Sequence, residues 1–223
     1  MVITIGAEKG GVAKTRLATH IAALAASEHV DVVLLDTDKQ GSASSWSRIR
    51  NEEGILPSIP VLTLPSSPAR ELAKLAAKFT LVVVDIGAQN YRTMLECALL
   101  SDLVLVPCGA DQQEVESTLK VFETLKDMGP RHEKGCIPAH VVLTRVSPVE
   151  TAKATSELRD YLASEHISVF NSQIAHRASW LATGKSGRAV HELRGKDRSQ
   201  KAIDEMQKVY QEIIRRINGQ KVN

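Results

Sequence analysis

The stretch "GAEKGGVAKT", residues 6–15, decides the fold of this chain. It comes close to the phosphate-loop pattern G-x-x-x-x-G-K-[ST], which expects glycine where this chain has Glu8 and Ala13. A second lysine, Lys9, stands five residues before Lys14. The stretch is therefore an altered phosphate loop, a chance cluster of glycines or another kind of loop, and the rest of the sequence must decide.

The composition is that of an ordinary globular protein. A length of 223 residues can bury a core without disulfides, and we expect one domain over residues 1–223. The formal net charge of +2 gives no sign of a nucleic-acid partner. Three cysteines without C-x-x-C spacing predict a reducing cytoplasm. No signal-peptide pattern and no apolar run of 18 residues occur, so we expect neither secretion nor a membrane span.

Short apolar runs alternate with segments of helical spacing. Most runs are continuous in Val, Ile and Leu, which is typical of strands buried on both faces. The alternation predicts an α/β fold, a mostly parallel twisted sheet of about seven strands with helices on both faces. The predicted strands are 2–6, 32–36, 60–64, 81–85, 103–107, 140–144 and 167–170. The predicted helices are 14–27, 67–78, 90–100, 114–128, 151–164 and 197–217, and residues 50–60 are expected to form a surface loop.

The opening stretch has the context that a phosphate loop requires, since it follows a strand and precedes a helix. Backbone N–H groups at a helix N-terminus can wrap a phosphate there. Lys14 is expected to reach the β- and γ-phosphates and Thr15 to place its hydroxyl on Mg²⁺. Glycines at 10 and 11 allow close approach of the backbone, and alanine is acceptable at position 13 provided that no positive φ is needed.

Aspartates follow two other predicted strands. Asp36 and Asp38 end the strand at 32–36 in "LLDTDKQGS", and Asp85 ends "LVVVD" as a Walker B aspartate would. The carboxyl ends of parallel strands meet at one edge of the sheet, where open α/β folds bind ligands. Together with the loop, these carboxylates predict a nucleotide site that uses magnesium.

Three motifs resemble the deviant Walker A ATPases of the ParA/MinD group, a P-loop NTPase family. "KGGVAKT" is similar to their K-G-G-x-G-K-[ST], and "DTDKQGS" to their D-x-D-P-Q-G-[NS]. "RASWLATGKSGRAVHE", residues 177–192, resembles a stretch of the ParA partition ATPases. The resemblance covers nearly the whole chain and identifies it as a small ParA-type member, expected to lack the N-terminal helix-turn-helix arm.

The resemblance implies the roles of the site residues. Lys9 would be the signature lysine, which reaches the phosphates of the other subunit across a nucleotide-sandwich dimer; the alternative is a solvated loop lysine. Asp38 would orient the attacking water, Asp36 would support the magnesium shell, and Asp85 would hold Mg²⁺ through water. The expected catalytic residues are Lys9, Lys14 and Asp38, and the expected metal residues are Thr15, Asp36 and Asp85. The expected nucleotide-binding residues are Lys9, Gly10, Gly11, Val12, Ala13, Lys14, Thr15 and Arg16.

The chain departs from the family pattern at three places. Lys39 replaces a proline, Arg16 replaces a common second threonine, and "DIGAQN" after the Walker B strand has no proline, although Gly87 would keep some freedom there. None removes a phosphate or metal ligand, so the departures bear on the rate of hydrolysis. ATP is preferred over GTP by resemblance, with Thr144 and Arg145 as candidates for contact with the base.

The C-terminal third contains a basic run. Such a run usually solvates a face, but it lies where ParA proteins bind non-specific DNA, and a patch of this kind is what phosphate contact requires. The expected DNA-binding residues are Arg177, Lys185, Arg188, Arg194, Lys196 and Arg198.

Two other function classes stay open. A MinD-like membrane-positioning protein would use an interfacial helix, and the helical stripe from Ile203 to Ile217 is a candidate, although such stripes more often pack on the sheet. A metabolic P-loop enzyme or iron–sulfur reductase would need cluster cysteines, but Cys97 in "MLECALL" is expected to be buried and structural.

The sequence as a whole favours an ATP hydrolase of the ParA type. It is expected to be Mg-dependent, to form an ATP-bound homodimer, to bind DNA without sequence preference and to be stimulated by a ParB-like or other adaptor protein. We expect a cytoplasmic, nucleoid-associated protein without stable membrane association that partitions or positions a plasmid, chromosome or other cargo.

Overall fold

The computed structural model describes residues 1–63, 68–149 and 153–219. Within them, seven strands form one sheet in the order β3-β2-β4-β1-β5-β6-β7, and every pairing is parallel. The strands are β1 Val2–Ile5, β2 Val32–Asp36, β3 Val61–Thr63, β4 Leu81–Asp85, β5 Leu103–Cys108, β6 Ala139–Val146 and β7 Val169–Ala175. The predicted α/β class and parallel sheet are therefore confirmed.

Helices cover both faces of the sheet. Helices α1, α2, α7 and α8 share one apolar core, and α3, α4, α5 and α6 pack on the opposite face. None of the helices in the described part of the chain is both long and apolar enough to span a bilayer. The helices are α1 Lys14–Ser27, α2 Ser42–Glu52, α3 Pro68–Ala76, α4 Tyr91–Ala98, α5 Gln112–Met128, α6 Lys153–Ser164, α7 Ser179–Ser186 and α8 Gln200–Ile217.

Most predicted boundaries agree with the structure within three residues. The prediction at 167–170 is wrong in extent, since β7 continues to Ala175. Leu64 of the third predicted strand, Ser67 of the second predicted helix, and residues 151 and 152 of the fifth lie outside the described residues.

The prediction of a surface loop over 50–60 is wrong at its beginning. Arg50 belongs to α2 and is fully buried, and Ile55 and Ile59 are buried as well. Helix α2 escaped the sequence analysis because its buried face contains polar residues. Ala43, Trp46, Ser47 and Arg50 recur at i, i+3, i+4 and i+7, which is the spacing of one helix face.

Candidate nucleotide-binding site

The loop between β1 and α1 has a strained backbone at its last residue. Ala13, just before α1, lies in the left-handed region with φ +75°, as Gly11 does with φ +74°. The condition under which alanine would be acceptable at position 13, that no positive φ is needed, is therefore not met. An alanine there costs about 1 kcal/mol more than a glycine would. The loop conformation is thus maintained by its surroundings, including a bond from the Thr144 hydroxyl to the Val12 carbonyl, 3.1 Å long.

A cavity of about 350 Å³ opens above this loop. Three loops line it, each from the carboxyl end of a strand: the loop after β1, the turn after β2 and the turn after β4. Val12 is buried beneath the loop and Lys9 does not line the cavity. The lining residues are Gly10, Gly11, Ala13, Lys14, Thr15, Arg16, Asp38, Ser42, Ile86 and Ala88.

Lys14 is a buried cation at the base of this cavity. Its Nζ donates to the carbonyl of Lys9 at 2.7 Å, which holds the side chain back along the loop. Burial lowers the pKa of Lys14, and the negative charges of Asp85 and Asp38 partly oppose that effect. The site therefore holds a positive charge at low solvent exposure, where its attraction for phosphate oxygens is strong.

Asp85, at the end of β4, is buried without the hydrogen bonds that usually stabilise a buried carboxylate. Neither carboxylate oxygen has a hydrogen bond of good geometry to any described residue. Burial raises the pKa of Asp85 to about 7, an effect that the nearby Thr15 hydroxyl and Lys14 lessen and that Asp36 and Asp38 increase. A buried carboxylate without partners is costly unless something else binds it.

Asp36, at the end of β2, has all the partners that Asp85 lacks. Its Oδ1 accepts from the Asp38 N–H at 3.0 Å, and its Oδ2 accepts from the Ser44 N–H and hydroxyl at 2.8 and 2.9 Å. Asp36 does not line the cavity. These bonds fasten the first turn of α2 to the sheet, so Asp36 shapes the turn that presents Asp38.

Asp38 faces the cavity from that turn, with Oδ1 accepting from the Gln40 N–H at 2.9 Å. Gly87, from the turn after β4, lies directly against it. A Cβ at position 87 would lie 2.9 Å from the Asp38 Cα. The expectation that Gly87 provides freedom is therefore corrected: this glycine is buried and allows two turns to approach closely.

The residues present fit a magnesium ion bound together with phosphate. Thr15 offers a hydroxyl at the cavity, and the Asp85 carboxylate beside it has no other hydrogen-bond partner in the described part of the chain. Among the described residues, no group of three His, Cys, Asp or Glu side chains could hold a metal alone. Magnesium typically uses one or two protein ligands, water and substrate phosphates, so this donor set suits it.

Lys9 points away from the cavity of its own chain. Its Nζ donates to Gln113 Oε1, at the start of α5, at 2.9 Å. Its neighbour Glu8 accepts from the Ser117 hydroxyl on the same helix at 2.9 Å. Gln113 and Ser117 were not singled out in the sequence, where nothing connects them to a loop more than 100 residues earlier.

The candidates for base recognition are placed differently from each other. Thr144 is fully buried, and its hydroxyl donates to the phosphate loop at the Val12 carbonyl. Contact of Thr144 or Arg145 with a base stays a prediction. Arg145, at a positive φ of 56°, forms an ion pair with Glu114. Arg16 lines the cavity, and its guanidinium lies 5.7 Å from the centroid of the Trp180 ring.

The predicted DNA-binding residues divide into two groups. Arg177 forms an ion pair with Glu205 at 2.5 Å, and both side chains are largely buried. This ion pair distinguishes Arg177 from the other predicted DNA-binding residues. The remaining five lie between α7 and α8 or at the end of α7, and four of them are exposed. Arg188 is half-buried. These five are Lys185, Arg188, Arg194, Lys196 and Arg198.

The features behind the two alternative functions belong to the core. The apolar stripe of α8 packs on β7 and α1, with Met206, Val209 and Ile213 almost fully buried. Cys97 is buried in α4, and burial raises the pKa of its thiol to about 12. The stripe is not a free interfacial face, and the thiol is structural as predicted.

Comparison with known proteins agrees with this architecture. The curated protein ParA of Rhizobium radiobacter is 20% identical over 195 residues, which are 87% of each chain. A putative plasmid partition protein of Borrelia burgdorferi, solved with AMPPNP, superimposes with a TM-score of 0.69 at 18% identity, covering 97% of this chain and 99% of that chain. An ATP complex of a McdA variant from Cyanothece gives a TM-score of 0.72 at 14% identity, covering 100% and 97%.

The family model described as the CobQ/CobB/MinD/ParA nucleotide binding domain matches residues 3–189. That range contains the phosphate loop, both aspartate turns and the whole sheet apart from Val2. The chain therefore belongs to the ParA/MinD family of nucleotide-binding P-loop ATPases.

Proposed function

We propose that this chain is a ParA-type ATPase in which ATP joins two copies into a sandwich dimer, the dimer binds DNA regardless of sequence, and hydrolysis releases it. The observation that carries the proposal is the cavity above the phosphate loop. There a buried lysine, Lys14, faces Asp85, whose carboxylate oxygens have no hydrogen bond of good geometry to the described residues. Such a pair is suited to a ligand that brings both negative phosphates and a cation.

The chain's own residues divide the work in this proposal. The backbone of the loop and the N-terminus of α1 bind the phosphates, and Lys14 neutralises their charge. Asp38 orients the attacking water from the turn after β2, while Asp36 holds that turn in place. Magnesium, when bound by Thr15 and, through water, Asp85, would supply further neutralisation of charge on the phosphate oxygens.

Lys9 acts on the other subunit. In the single chain its ammonium group rests on Gln113, outside its own cavity. A cation that approaches the phosphates from a second copy stabilises the transition state and also ties the two chains together, as an arginine finger does.

The exposed cations near α7 and α8 provide the DNA surface. Their charge would contact phosphates, which explains binding without sequence preference and a steep dependence on salt. Hydrolysis would be stimulated by an adaptor protein, ParB-like or otherwise, through an extended basic segment. The protein would act on the nucleoid in the cytoplasm and partition a plasmid, a chromosome or another cargo.

A MinD-like role at a membrane is less well supported. It would need an apolar helix face free for the bilayer interface. The stripe of α8 that could have served is part of the core.

Fluorescence anisotropy with two unrelated duplexes tests the proposal. Wild-type protein with ATP and Mg²⁺ should bind both duplexes with equal affinity, ADP should not support binding, and Lys14→Ala should remove it because the phosphates lose their main cation. Equal binding with ADP, or no binding with ATP at low salt, contradicts the proposal. Pelleting with anionic vesicles in the latter case would favour the MinD-like alternative.

A further inference from the structure

Arg16, the third residue of α1, lines two cavities at once. One is the phosphate-loop cavity, and the other, of about 420 Å³, is bounded by α1, α2 and α7. We propose that the Arg16 guanidinium binds the α-phosphate of the nucleotide and that Trp180, on α7, holds Arg16 ready for this contact. The inference rests on the proposed function and assigns a role to an arginine that replaces a threonine common in the family.

Arg16 is half-buried, and its guanidinium has no anionic partner in the described part of the chain. It lies over the Trp180 ring and forms neither a hydrogen bond nor an ion pair with any residue described. Burial lowers the pKa of Arg16, and the positive charge of Arg145 lowers it further. Three other arginines with covered side chains each pair with a glutamate, namely Arg50, Arg177 and Arg216. A bound anion would supply at Arg16 the counter-charge that a glutamate supplies to them.

Trp180 supports the Arg16 side chain from one side. Its indole is buried, and the Nε1 group donates to the Ala175 carbonyl at 3.0 Å. The His20 ring lies edge-on to it at 5.2 Å between centroids, and His20 Nδ1 donates to the Arg16 carbonyl at 2.7 Å. Burial lowers the pKa of His20 to about 3, so the ring is neutral near pH 7 and adds no competing charge. A guanidinium held over a fixed aromatic ring loses little conformational freedom when it binds phosphate.

The α-phosphate is the part of the nucleotide that the other groups of the cavity leave without a side-chain cation. Lys14 and Arg16 are the two cationic side chains in the cavity lining. A lysine in the position of Lys14 serves the β- and γ-phosphates, and magnesium at Thr15 would bridge their oxygens. Arg145 is near enough for its charge to act on Arg16, but its guanidinium is paired with Glu114. Arg16 is therefore the cation available to the α-phosphate.

Equal loss of ATP and ADP affinity identifies this contact, because both nucleotides contain the α-phosphate. Arg16→Thr, which restores the residue common in the family, should weaken the binding of each nucleotide with Mg²⁺ by the same factor, about tenfold. Arg16→Lys should lose less, since lysine retains the charge without the planar fork. The matched control Arg48→Thr removes an exposed arginine of α2 that pairs with Glu52, and it should change neither affinity. Calorimetric titration measures all of these affinities.

A double-mutant cycle tests the positioning role of Trp180. Trp180→Phe keeps an aromatic ring with a weaker attraction for cations, so it should weaken ATP and ADP binding about two- to threefold. In the Arg16→Thr background the same change should have no further effect, because the side chain that Trp180 positions is gone. A tryptophan that only supported the fold would weaken binding by the same factor in both backgrounds, and that result would overturn its positioning role.

The outcomes separate the inference from the proposed function. If wild-type protein binds ATP, and Arg16→Thr binds ATP and ADP as tightly as Arg48→Thr does, the role of Arg16 is wrong and the proposed function stands. A loss confined to ATP would assign Arg16 to the γ-phosphate and overturn the inference. If wild-type protein binds neither nucleotide with Mg²⁺, the proposed function itself fails. Should Arg16→Thr not fold, the ratio of ATP loss to ADP loss in Arg16→Lys decides in the same way.

Discussion

Asp36 and Asp85 end neighbouring strands, lie opposite each other in register and are both almost completely buried. The Asp36 carboxylate accepts three hydrogen bonds, whereas the Asp85 carboxylate accepts none of good geometry from the described residues. Burial alone does not distinguish a structural acid from one that awaits a ligand; the partners do. Asp36 repays its burial within the protein by fastening α2. Asp85 has no such compensation among the described residues, and we propose that a bound cation would supply it.

The largest expected effect comes from making the same isosteric change at both positions. Asp36→Asn should lower the free energy of unfolding by about 2–4 kcal/mol, because an amide cannot accept from three donors and places an NH₂ group against one of them. Asp85→Asn should stay within about 1 kcal/mol of wild type, since no hydrogen bond is lost. Urea unfolding at pH 7 without nucleotide measures both.

The proposed difference between Asp36 and Asp85 is contradicted if the two variants lower the free energy of unfolding by similar amounts. A large loss in Asp85→Asn alone would mean that its attraction to Lys14 outweighs the cost of burial. Ser44→Ala is a useful third variant, since it removes one of the three donors to Asp36 and should have a smaller effect of the same sign.

A smaller effect should appear in the magnesium dependence of nucleotide binding. For the wild type, Mg²⁺ should tighten ATP binding relative to EDTA, because a cation relieves the unpartnered Asp85 and the crowded phosphates. In Asp85→Asn the factor by which Mg²⁺ tightens ATP binding should be about tenfold smaller than in the wild type, whereas the ATP affinity in EDTA should be unchanged. Calorimetric titration with and without Mg²⁺ measures the two affinities. An unchanged gain in Asp85→Asn would remove Asp85 from the magnesium site.

The sequence was sufficient to place the elements and residues of the site where the local sequence pattern and the topology of the sheet agree. Strand β1, the glycine-rich loop and helix α1 were placed because their order is the phosphate-loop signature, and Asp85 because an acid after a buried strand reaches the sheet edge. Asp36 and Asp85 were both predicted as metal residues, since nothing local separates them. Their difference depends on Ser44, whose bond to Asp36 exists only once α2 has packed.

The remaining features depend on tertiary contacts between residues that are far apart in the sequence, so no short segment of the sequence reveals them. The positive φ of Ala13 contradicts the residue's own preference and is maintained by contacts such as that from Thr144, 131 residues later. Arg50 appeared to be a surface residue because a buried arginine is rare, and its partner Glu192 is 142 residues away. The ion pair of Arg177 with Glu205 was invisible for the same reason.

The most direct test of the central claim, an ATP-dependent dimer joined through Lys9, is the molar mass in solution measured by light scattering. Asp38→Ala with ATP and Mg²⁺ should double in mass and remain dimeric, because phosphate binding persists while the water loses its orienting carboxylate. The double variant Lys9→Ala, Asp38→Ala should stay monomeric, whereas Lys201→Ala in the Asp38→Ala background, an exposed lysine on α8, should dimerise normally. A dimer in the Lys9→Ala double variant, or a monomer in Asp38→Ala with saturating ATP, would contradict the account.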